Sequence, residues 1–488
     1  MSNDSEIIAR ESDSKMLFTE KQLKEFSKSY MELALDALEK GDLAAAKHWC
    51  TRNKETEGAI HHAYLAIVAD IWSFAYDVWG EQFAVNAIKR STRDAFEVFA
   101  DVWRSETKSG EVRDHVQFIV EHFWRLRFGE YSILEDQEKF TFTHDCCGSG
   151  GRLMNAGAYE GPRGFRRLKK AGPHTWGETD VPIYCAQCSW FHEILPVEFE
   201  GAGSQWWVHA SPFPRKVGDA CIHHVYKDPA NIPSAFYERV GMESPEWSRS
   251  VSDTGAIFSE AELQELSKGY TDLAVEALDR NDVEVAIRWC RKFEETKFRV
   301  HDLGAVLTTA TMSYILEHCG EDAVHRVWRE FFNNETANQF SQWMEEILTT
   351  GEPGRRLELL VDLWRSHTSP PTVEEDEEKF ILTLGPCGSG GRLLDKGYYD
   401  TPMGFGRIKN ATQSGTWNKE NVPIYCSHCS WVNEIRPVLT MGQGKQLFVH
   451  ADQPFPKAPG QSCVHYVYKN PQDIPSRYYE RHGLKKDE

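Results

Sequence analysis

The sequence predicts an α+β protein made by tandem duplication, in which each copy is a helical bundle followed by a small, loop-rich β module with a cysteine-rich metal site. Two observations predict this architecture. The chain repeats itself at an offset of 240 to 242 residues, and within each repeat a helical pattern of apolar residues gives way to Gly, Pro and Cys. Because the period is far longer than a solenoid unit, the duplicated unit is a pair of domains.

The repeat is clearest at three places along the chain. The segment FTEKQLKEFSKSYMELALDALEKGD, which begins at Phe18, matches FSEAELQELSKGYTDLAVEALDRND, which begins at Phe258. CGSGGRLM at Cys147 matches CGSGGRLL at Cys387, and VPIYCAQCSW at Val181 matches VPIYCSHCSW in the second copy. Two copies of one unit favour packing around an approximate twofold axis, so we expect a pseudo-twofold pair.

The first part of each copy has the apolar spacing of helices. In LKEFSKSYMELALDALEKG apolar residues recur every three or four positions, and Gly41 stands where a helix C-cap belongs. Ser259 and Glu262 form a capping-box pattern at the corresponding start in the second copy. The length of the pattern predicts about four or five helices in each copy.

The second part of each copy changes character. Gly, Pro and Cys replace the helical period, and short runs such as FTFTHD, VPIYC and QWWVHA have the composition of strands. The predicted boundaries are 14–135 for the helical part and 136–240 for the β module of the first copy, 241–255 for a linker, and 256–374 and 375–484 for the same parts of the second copy.

Composition excludes several functional classes. The 488 residues include 74 acidic and 55 basic side chains, and a net charge of −19 repels nucleic acid. The start of the chain lacks a signal-peptide pattern, and no run of about 18 apolar residues follows, so no membrane role is expected. We therefore expect a cytoplasmic protein, in which cysteines serve as metal ligands, reactive thiols or buried apolar side chains.

Eight of the twelve cysteines form two matched sets, and each set contains a Cys-x-x-Cys. That spacing lets two thiolates reach one ion at the Zn–S distance of ~2.3 Å, and a glycine-flanked cysteine adds a third ligand. The fourth ligand is either a cysteine or a histidine two positions later, because both project from the same face of a strand. The predicted ligands are Cys147, Cys185, Cys188, Cys221 and His223 in the first copy, and Cys387, Cys426, Cys429, Cys463 and His465 in the second.

These donors favour Zn²⁺, with one site in each of the two copies. An iron–sulfur cluster is disfavoured because the ligands are dispersed along the chain. Four protein ligands would close the tetrahedron and make the ion structural, whereas a catalytic zinc keeps one position open for water or substrate. The sequence leaves both roles open.

A glycine-rich segment follows the first cysteine of each set. Its backbone N–H groups can form a nest for an anion, and its arginine can pair with a carboxylate or phosphate. The alternative is that the glycines wrap the metal and the arginine holds a neighbouring carboxylate. The candidate anion-binding residues are Gly148, Ser149, Gly150, Gly151 and Arg152 in the first copy, and Gly388, Ser389, Gly390, Gly391 and Arg392 in the second.

Three pairs of matched residues are candidates for general acid–base catalysis. They are a histidine of the helical part, a glutamate five residues after the Cys-x-x-Cys, and a histidine within an aromatic-Val-His-Ala run. The alternatives are a hydrogen-bonded core histidine, a carboxylate that supports the metal ligands, and a surface carboxylate. The candidate residues are His61, His301, Glu193, Glu434, His209 and His450.

From these residues we expect a zinc-binding enzyme of hydrolase or lyase type that acts on a small anionic molecule. Its pocket is expected between the helical part and the β module, since ligand sites are usually built between such parts. The lack of a nicotinamide or flavin fingerprint disfavours redox chemistry. Two alternatives are a non-catalytic, zinc-stabilised binding or scaffold protein, and a thiol or iron–sulfur redox protein.

Overall fold

The helices and sheets follow the order that the sequence predicts. The computed structural model describes residues 16–127, 129–201, 204–205, 207–246, 255–331, 341–400 and 403–486. Within these ranges the fold mixes helices with small antiparallel sheets, which makes it α+β. Residues 14–15 of the predicted helical part and residues 247–254 of the predicted linker lie outside the described ranges.

The first copy begins with helices and continues as a mixed module. The helices are α1 (Glu20–Phe26), α2 (Tyr30–Glu39), α3 (Leu43–Trp79), α4 (Glu81–Glu106) and α5 (Val112–Ile119), the last extended by a π-helical turn over Val120–Trp124. The module contains β1 (Glu130–Glu135), β2 (Lys139–Cys146), α6 (Gly150–Asn155), β3 (Arg167–Leu168), β4 (Val181–Pro182), α7 (Ala186–Cys188), a π-helical turn over Ser189–Ile194, α8 (Leu195–Glu200), β5 (Val208–Ser211), β6 (Cys221–Tyr226) and α9 (Ser234–Glu238).

The second copy follows a similar order, but the described part of its helical region contains seven helices, where the first copy has five and the sequence predicts four or five, because two helices replace α3 and two lie along the stretch that matches α4 and the turn after it. Its helical part contains α10 (Glu260–Leu266), α11 (Tyr270–Asp279), α12 (Val283–Thr296), α13 (Phe298–Cys319), α14 (Glu321–Phe331), α15 (Ser341–Thr349) and α16 (Pro353–Ser366). Its module contains β7 (Thr372–Glu375), β8 (Lys379–Leu384), α17 (Gly390–Asp395), β9 (Arg407–Ile408), β10 (Val422–Pro423), α18 (Ser427–Cys429), a π-helical turn over Ser430–Ile435, α19 (Arg436–Met441), β11 (Val449–His450), β12 (Cys463–Tyr468) and α20 (Arg477–Glu480).

Each module is built on a four-stranded antiparallel sheet. The strand order is β1-β2-β6-β5 in the first copy and β7-β8-β12-β11 in the second. Burial alternates along β6, so that Cys221 and His223 lie on the same buried face of the sheet. The sheet of the first copy begins at Glu130, before the predicted boundary at 136, because β1 pairs with β2. In the VPIYC run only Val181–Pro182 form a strand, and Ile183–Cys185 turn into a 3₁₀-helix.

The two copies exchange their N-terminal segments. The Glu135 carboxylate of the first copy accepts hydrogen bonds from the backbone N–H groups of Ile257 and Phe258, at 2.6 and 3.0 Å. In the same way, the Glu375 carboxylate of the second copy accepts from Leu17 and Phe18, again at 2.6 and 3.0 Å. As a result α10 packs on β1 and α1 packs on β7. Each copy therefore covers the sheet of the other.

The long helices α3 and α13 form the centre of the interface and pack against each other and against α4. Trp72 is fully buried there, and its indole N–H donates to the Thr311 hydroxyl at 3.0 Å. One hydrophobic core cluster contains residues of both copies, so burial of apolar surface holds the copies together. No helix in the described ranges combines the length and the apolar composition that a membrane span requires.

Candidate metal centre

The four matched cysteines of the first copy lie close together, where the sheet meets the Cys-x-x-Cys turn. Cys147 directly follows β2, and Cys221 begins β6. The Cys147 sulfur accepts a hydrogen bond from the Gly151 backbone N–H at 2.9 Å. The pKa of Cys221 is raised well above its usual range by its hydrogen bond with Cys147, by burial, and by the nearby thiols of Cys147, Cys185 and Cys188.

The second copy repeats this arrangement. The Cys387 sulfur accepts a hydrogen bond from the Gly391 backbone N–H at 3.0 Å. The pKa of Cys463 is raised well above its usual range by its hydrogen bond with Cys387, by burial, and by the nearby thiols of Cys387, Cys426 and Cys429. In each copy the first and last cysteines of the predicted set interact directly, and the two thiols of the Cys-x-x-Cys lie near enough to affect the pKa of the last one.

The glycines after the first cysteine make room for sulfur. A Cβ atom on Gly150 would lie 2.6 Å from the Cys185 sulfur, and one on Gly390 would lie 2.8 Å from the Cys426 sulfur. These distances are too short for any side chain at either position. The glycines therefore allow a close approach of backbone to thiol.

A tighter group of ligand atoms lies beside the cysteine set of the first copy. One ligand atom each from Cys188, His192 and His209 lies within 4.8 Å of the others, and among the described residues no other three Cys, His, Asp or Glu side chains meet this limit. His192 Nδ1 and His209 Nε2 are 3.2 Å apart. Two nitrogens that bind one tetrahedral zinc at ~2.0–2.1 Å are separated by about 3.3 Å, so this spacing suits a shared ion.

His192 was not among the candidate metal ligands predicted from the sequence. His192 lies four residues after Cys188, which places both on one face of a helical turn. The repeat concealed this signal because Asn433 occupies the matching position in the second copy. The four-cysteine sites predicted for the two copies stay predictions, since neither set forms a group within the 4.8 Å limit.

Two further histidines line the same region of the first copy. Both ring nitrogens of His223 and the Nε2 atom of His144 are buried and have no hydrogen-bond partner among the described residues. The His223 ring centroid is 4.3 Å from that of His209 and 5.1 Å from that of His144. Buried imidazole nitrogens without partners are unfavourable unless an ion or ligand satisfies them, so these residues fit a bound cation.

Glu193 orients His209. Its Oε1 atom accepts hydrogen bonds from His209 Nδ1 at 2.7 Å, from the Trp176 indole N–H at 2.9 Å and from Arg239 Nη2 at 2.9 Å. Burial alone would raise the pKa of Glu193, but the hydrogen bond and charge of His209 and the charge of Arg239 lower it overall. The carboxylate is therefore ionised, and it directs the Nε2 lone pair of His209 toward Cys188 and His192.

The second copy keeps this support but lacks one nitrogen ligand. Glu434 Oε1 accepts from His450 Nδ1 at 2.6 Å and from the Trp417 indole N–H at 2.7 Å, and Glu434 Oε2 accepts from His482 Nε2 at 2.9 Å. Asn433 stands where the first copy has His192. The predicted glutamate and strand histidine are thus paired in both copies, and each pair is buried.

His61 and His301 lie at the interface of the copies, away from Cys188. His301 Nε2 is 2.9 Å from the Tyr64 hydroxyl, which also contacts the hydroxyls of Ser389 and Tyr425 at 3.0 and 3.1 Å. Tyr64 thus reaches from the first copy into the module of the second.

No tyrosine in the described part of the second copy reaches into the module of the first in this way, because Gly304 occupies the position that matches Tyr64. A cavity of about 40 Å³ lies there, lined among others by His61, Ser149, Tyr184 and Arg127. The Ser149 hydroxyl is buried and has no hydrogen-bond partner in the described part of the chain. The cavity is large enough for one or two water-sized groups.

The candidate anion-binding arginines have protein partners. Arg392 donates to both carboxylate oxygens of Asp302, at 3.0 and 2.8 Å, and lies over the Phe298 ring at 3.8 Å. Arg152 donates to the Gly58 carbonyl oxygen at 3.3 Å. Gly148 packs against backbone, since a Cβ there would lie 2.2 Å from the Arg127 carbonyl oxygen. Anion binding by these segments stays a prediction.

Arg127 is a cation close enough to the candidate metal ligands to affect them, and the sequence did not single it out. Its guanidinium lies 5.4 Å from the ring centroids of both Phe123 and Trp124. Its charge adds to burial and to the charge of His209 in lowering the pKa of His192. In the second copy His367 takes its place, so only the first copy has a positive charge at this point.

Comparison with protein families, characterised proteins and solved structures finds no significant match to this chain. Any function assigned to the centre must therefore be argued from its own geometry.

Proposed function

We propose that the protein is a metal-dependent enzyme whose ion is held in the first copy by Cys188, His192 and His209. The observation that carries the proposal is the 4.8 Å grouping of these three ligand atoms, together with the hydrogen bond of Glu193 to His209 Nδ1. A ligand histidine whose other nitrogen donates to a carboxylate is the usual arrangement at protein zinc sites.

The donor set favours Zn²⁺. One thiolate and two imidazoles form a mixed sulfur and nitrogen set that suits zinc, and three protein ligands leave a fourth position open. An ion with an open position supplies Lewis-acid activation of water or of a substrate oxygen. Cys185 and Cys221 are buried nearby, where a cation would offset the charge of a deprotonated sulfur.

The interface cavity, which none of the three candidate ligands lines, supports a small anionic substrate and a hydrolase or lyase reaction. Arg127 brings a positive charge to the ligands and also lines the interface cavity, so it can attract and orient a carboxylate or phosphate. Ser149 offers a buried hydroxyl in the same cavity for positioning such a group. We place the protein in the cytoplasm, which agrees with twelve cysteines that are all free thiols.

The test is metal content per chain by elemental analysis of the wild type and of two matched variants. We expect about one zinc in the wild type and loss of the ion in His192→Asn, which gives the first copy the residue of the second. Asn433→His makes the reverse change and is expected to raise the content toward two. A metal-free wild type would contradict the proposal. A second result would also contradict it. If the zinc content is unchanged in His192→Asn but falls in Cys147→Ser and Cys387→Ser, the ion belongs to the four-cysteine sets.

A second candidate is a structural ion in a binding protein. It is favoured by the burial of His192 and His209, each of which is 1% exposed. A closed site would stabilise the module, so removal of the ion with a chelator would lower the melting temperature markedly. A catalytic ion would instead exchange with a chelator while the melting temperature changes little.

A further inference from the structure

The second copy contains a cavity that the metal proposal does not use. Its volume is about 110 Å³, and it lies between the helical part and the β module. Ile60 and Ala63 of α3 form one wall, Leu363 and Trp364 of α16 form another, and the module closes the rest. It has the position that sequence analysis predicted for a ligand pocket.

The walls are aromatic and uncharged. The aromatic lining residues are Phe331, Trp364, Trp417, Phe448 and Phe455, in addition to tyrosine and histidine rings. Among the described residues that line the cavity there is no Asp, Glu, Lys or Arg, but Cys387, Cys426, Cys429 and Cys463, the predicted metal ligands of the second copy, form part of its wall. A charged ligand would lose its hydration here without gaining a charged partner, which is unfavourable.

The His465 ring is the polar group that could hold a ligand in the cavity. His465 is 2% exposed, lines the cavity and stacks on Phe448 with ring centroids 4.3 Å apart. Its Nδ1 atom is buried and has no hydrogen-bond partner in the described chain. A buried ring nitrogen of this kind is satisfied when a ligand supplies the missing hydrogen bond.

The first copy shows that the fold can fill this space. Phe191 stands there where the second copy has Val432, His192 stands for Asn433, and Trp207 stands for Phe448. These larger side chains pack closely, with the His192 and Trp207 ring centroids 3.7 Å apart. The cavity of the second copy therefore results from its smaller residues and is not imposed by the architecture.

We propose that this cavity binds a small, uncharged aromatic molecule that carries one hydrogen-bonding group, with its ring against Phe448 and Trp364 and its polar atom at His465. An apolar cavity of ~150 Å³ holds benzene, so a volume of about 110 Å³ is at the lower limit for one aromatic ring. The site is distinct from the ion in the first copy and does not rest on it.

The experiment is calorimetric titration of the full chain near neutral pH with phenol, indole and benzoate. Phenol is one uncharged ring with one donor group, indole is a larger uncharged molecule of two fused rings that tests the size limit, and benzoate has a ring like that of phenol and a negative charge. We expect phenol or indole to bind and benzoate to bind at least about tenfold more weakly. Equal affinity for benzoate, or no binding of either neutral probe, overturns the proposal.

Variants locate the binding in the cavity. Val432→Phe and Phe448→Trp introduce aromatic residues that the first copy accommodates, and each is expected to weaken phenol or indole binding at least about tenfold. Leu439→Phe adds an aromatic ring at an exposed position of α19 and serves as the control. Circular dichroism of each variant confirms that it folds. If both cavity variants bind as the wild type does, the ligand lies elsewhere and the proposal fails.

The His192→Asn variant separates this proposal from that for the metal. We expect it to bind phenol or indole as the wild type does, whatever its metal content. If His192→Asn still contains an ion and Cys426→Ser removes that ion, the ion occupies the cysteine wall of the cavity and the proposal of an aromatic ligand fails.

Discussion

Cys50 and Cys290, which are equivalent residues of the two copies, face each other with their sulfur atoms 3.8 Å apart. Cys50 belongs to α3 and Cys290 to α12, and both are fully buried. A contact between equivalent residues occurs where two related units meet at their common axis. This pair therefore marks the centre of the contact between the helical parts.

The first prediction concerns that pair. Cys50→Ala and Cys290→Ala should each lower the free energy of unfolding by about 1 kcal/mol, because each removes one buried sulfur. The loss of unfolding free energy in the double variant should be smaller than the sum of the two single losses by about 0.5 kcal/mol or more. The reason is that the first substitution already removes the contact between the two sulfurs. Urea unfolding of the four proteins measures both quantities. Strictly additive losses would show that the two sulfurs do not interact.

The second prediction concerns Gly150. Gly150→Ala places a methyl carbon 2.6 Å from the Cys185 sulfur, and overpacking of this kind costs about 1–3 kcal/mol. Gly351→Ala is the matched control, because a Cβ at Gly351 meets nothing within 4 Å. Thermal unfolding monitored by circular dichroism compares the two. Equal melting temperatures for both variants would mean that the thiol can move without cost.

The third prediction concerns the buried ion pair of Asp302 and Arg392. Asp302→Asn leaves the guanidinium without its carboxylate and should cost about 3 kcal/mol, whereas His62→Asn at the matching position of the first copy should cost much less. Burial would raise the pKa of Asp302, but His301 and Arg392 together lower it well below its usual range.

The sign of the pH effect follows from that pKa. Because the folded state has the lower pKa, the stabilisation is present above the unfolded value of about 3.9 and is lost as the pH falls below it. Urea unfolding at several pH values should therefore show the cost of Asp302→Asn shrinking toward acid pH. A cost that stays constant with pH would indicate that the loss is one of packing.

The fourth prediction concerns His115, which is far from the candidate metal ligands in sequence. Burial lowers the pKa of His115 to about 4, and its Nε2 atom has no hydrogen-bond partner among the described residues. Its contribution to stability is present above the unfolded pKa of about 6.5 and is lost as the pH falls toward 4. His115→Phe should thus flatten the decline of stability between pH 6.5 and pH 4, measured by urea unfolding. His48→Phe, a change at an exposed position, is the control, and its stability should decline with pH as that of the wild type does.

Local features of the fold were predictable from the sequence. The capping box of Ser259 and Glu262 is present, and Gly41 has the positive φ of a residue that ends a helix. The shared face of Cys221 and His223 follows from the two-residue period of a strand. These features depend on residues that are near one another in the chain.

Other features depend on long-range packing, and the sequence did not show them. The sequence could not show whether Glu135 and Glu375 contact the N-terminal segment of their own copy or of the other copy. Because the two segments match, either arrangement is compatible with the sequence. His192 and His209 are 17 residues apart and on different elements, so their proximity depends on how the module folds. Comparison of the two copies also favoured residues that both copies share, and His192 is present only in the first.

Because α1 packs on the sheet of the second copy and α10 on the sheet of the first, the two halves of the chain should remain associated after the linker is cut. A protease cut between residues 246 and 255 would break one peptide bond but none of the hydrogen bonds that hold the exchanged segments. The two fragments would stay associated as a heterodimer, and each, made alone, would expose the strand that its partner's helix covers. The chain is thus organised as a dimer whose subunits are joined end to end, and that linkage lets the two subunits differ in sequence while they remain together in fixed proportion.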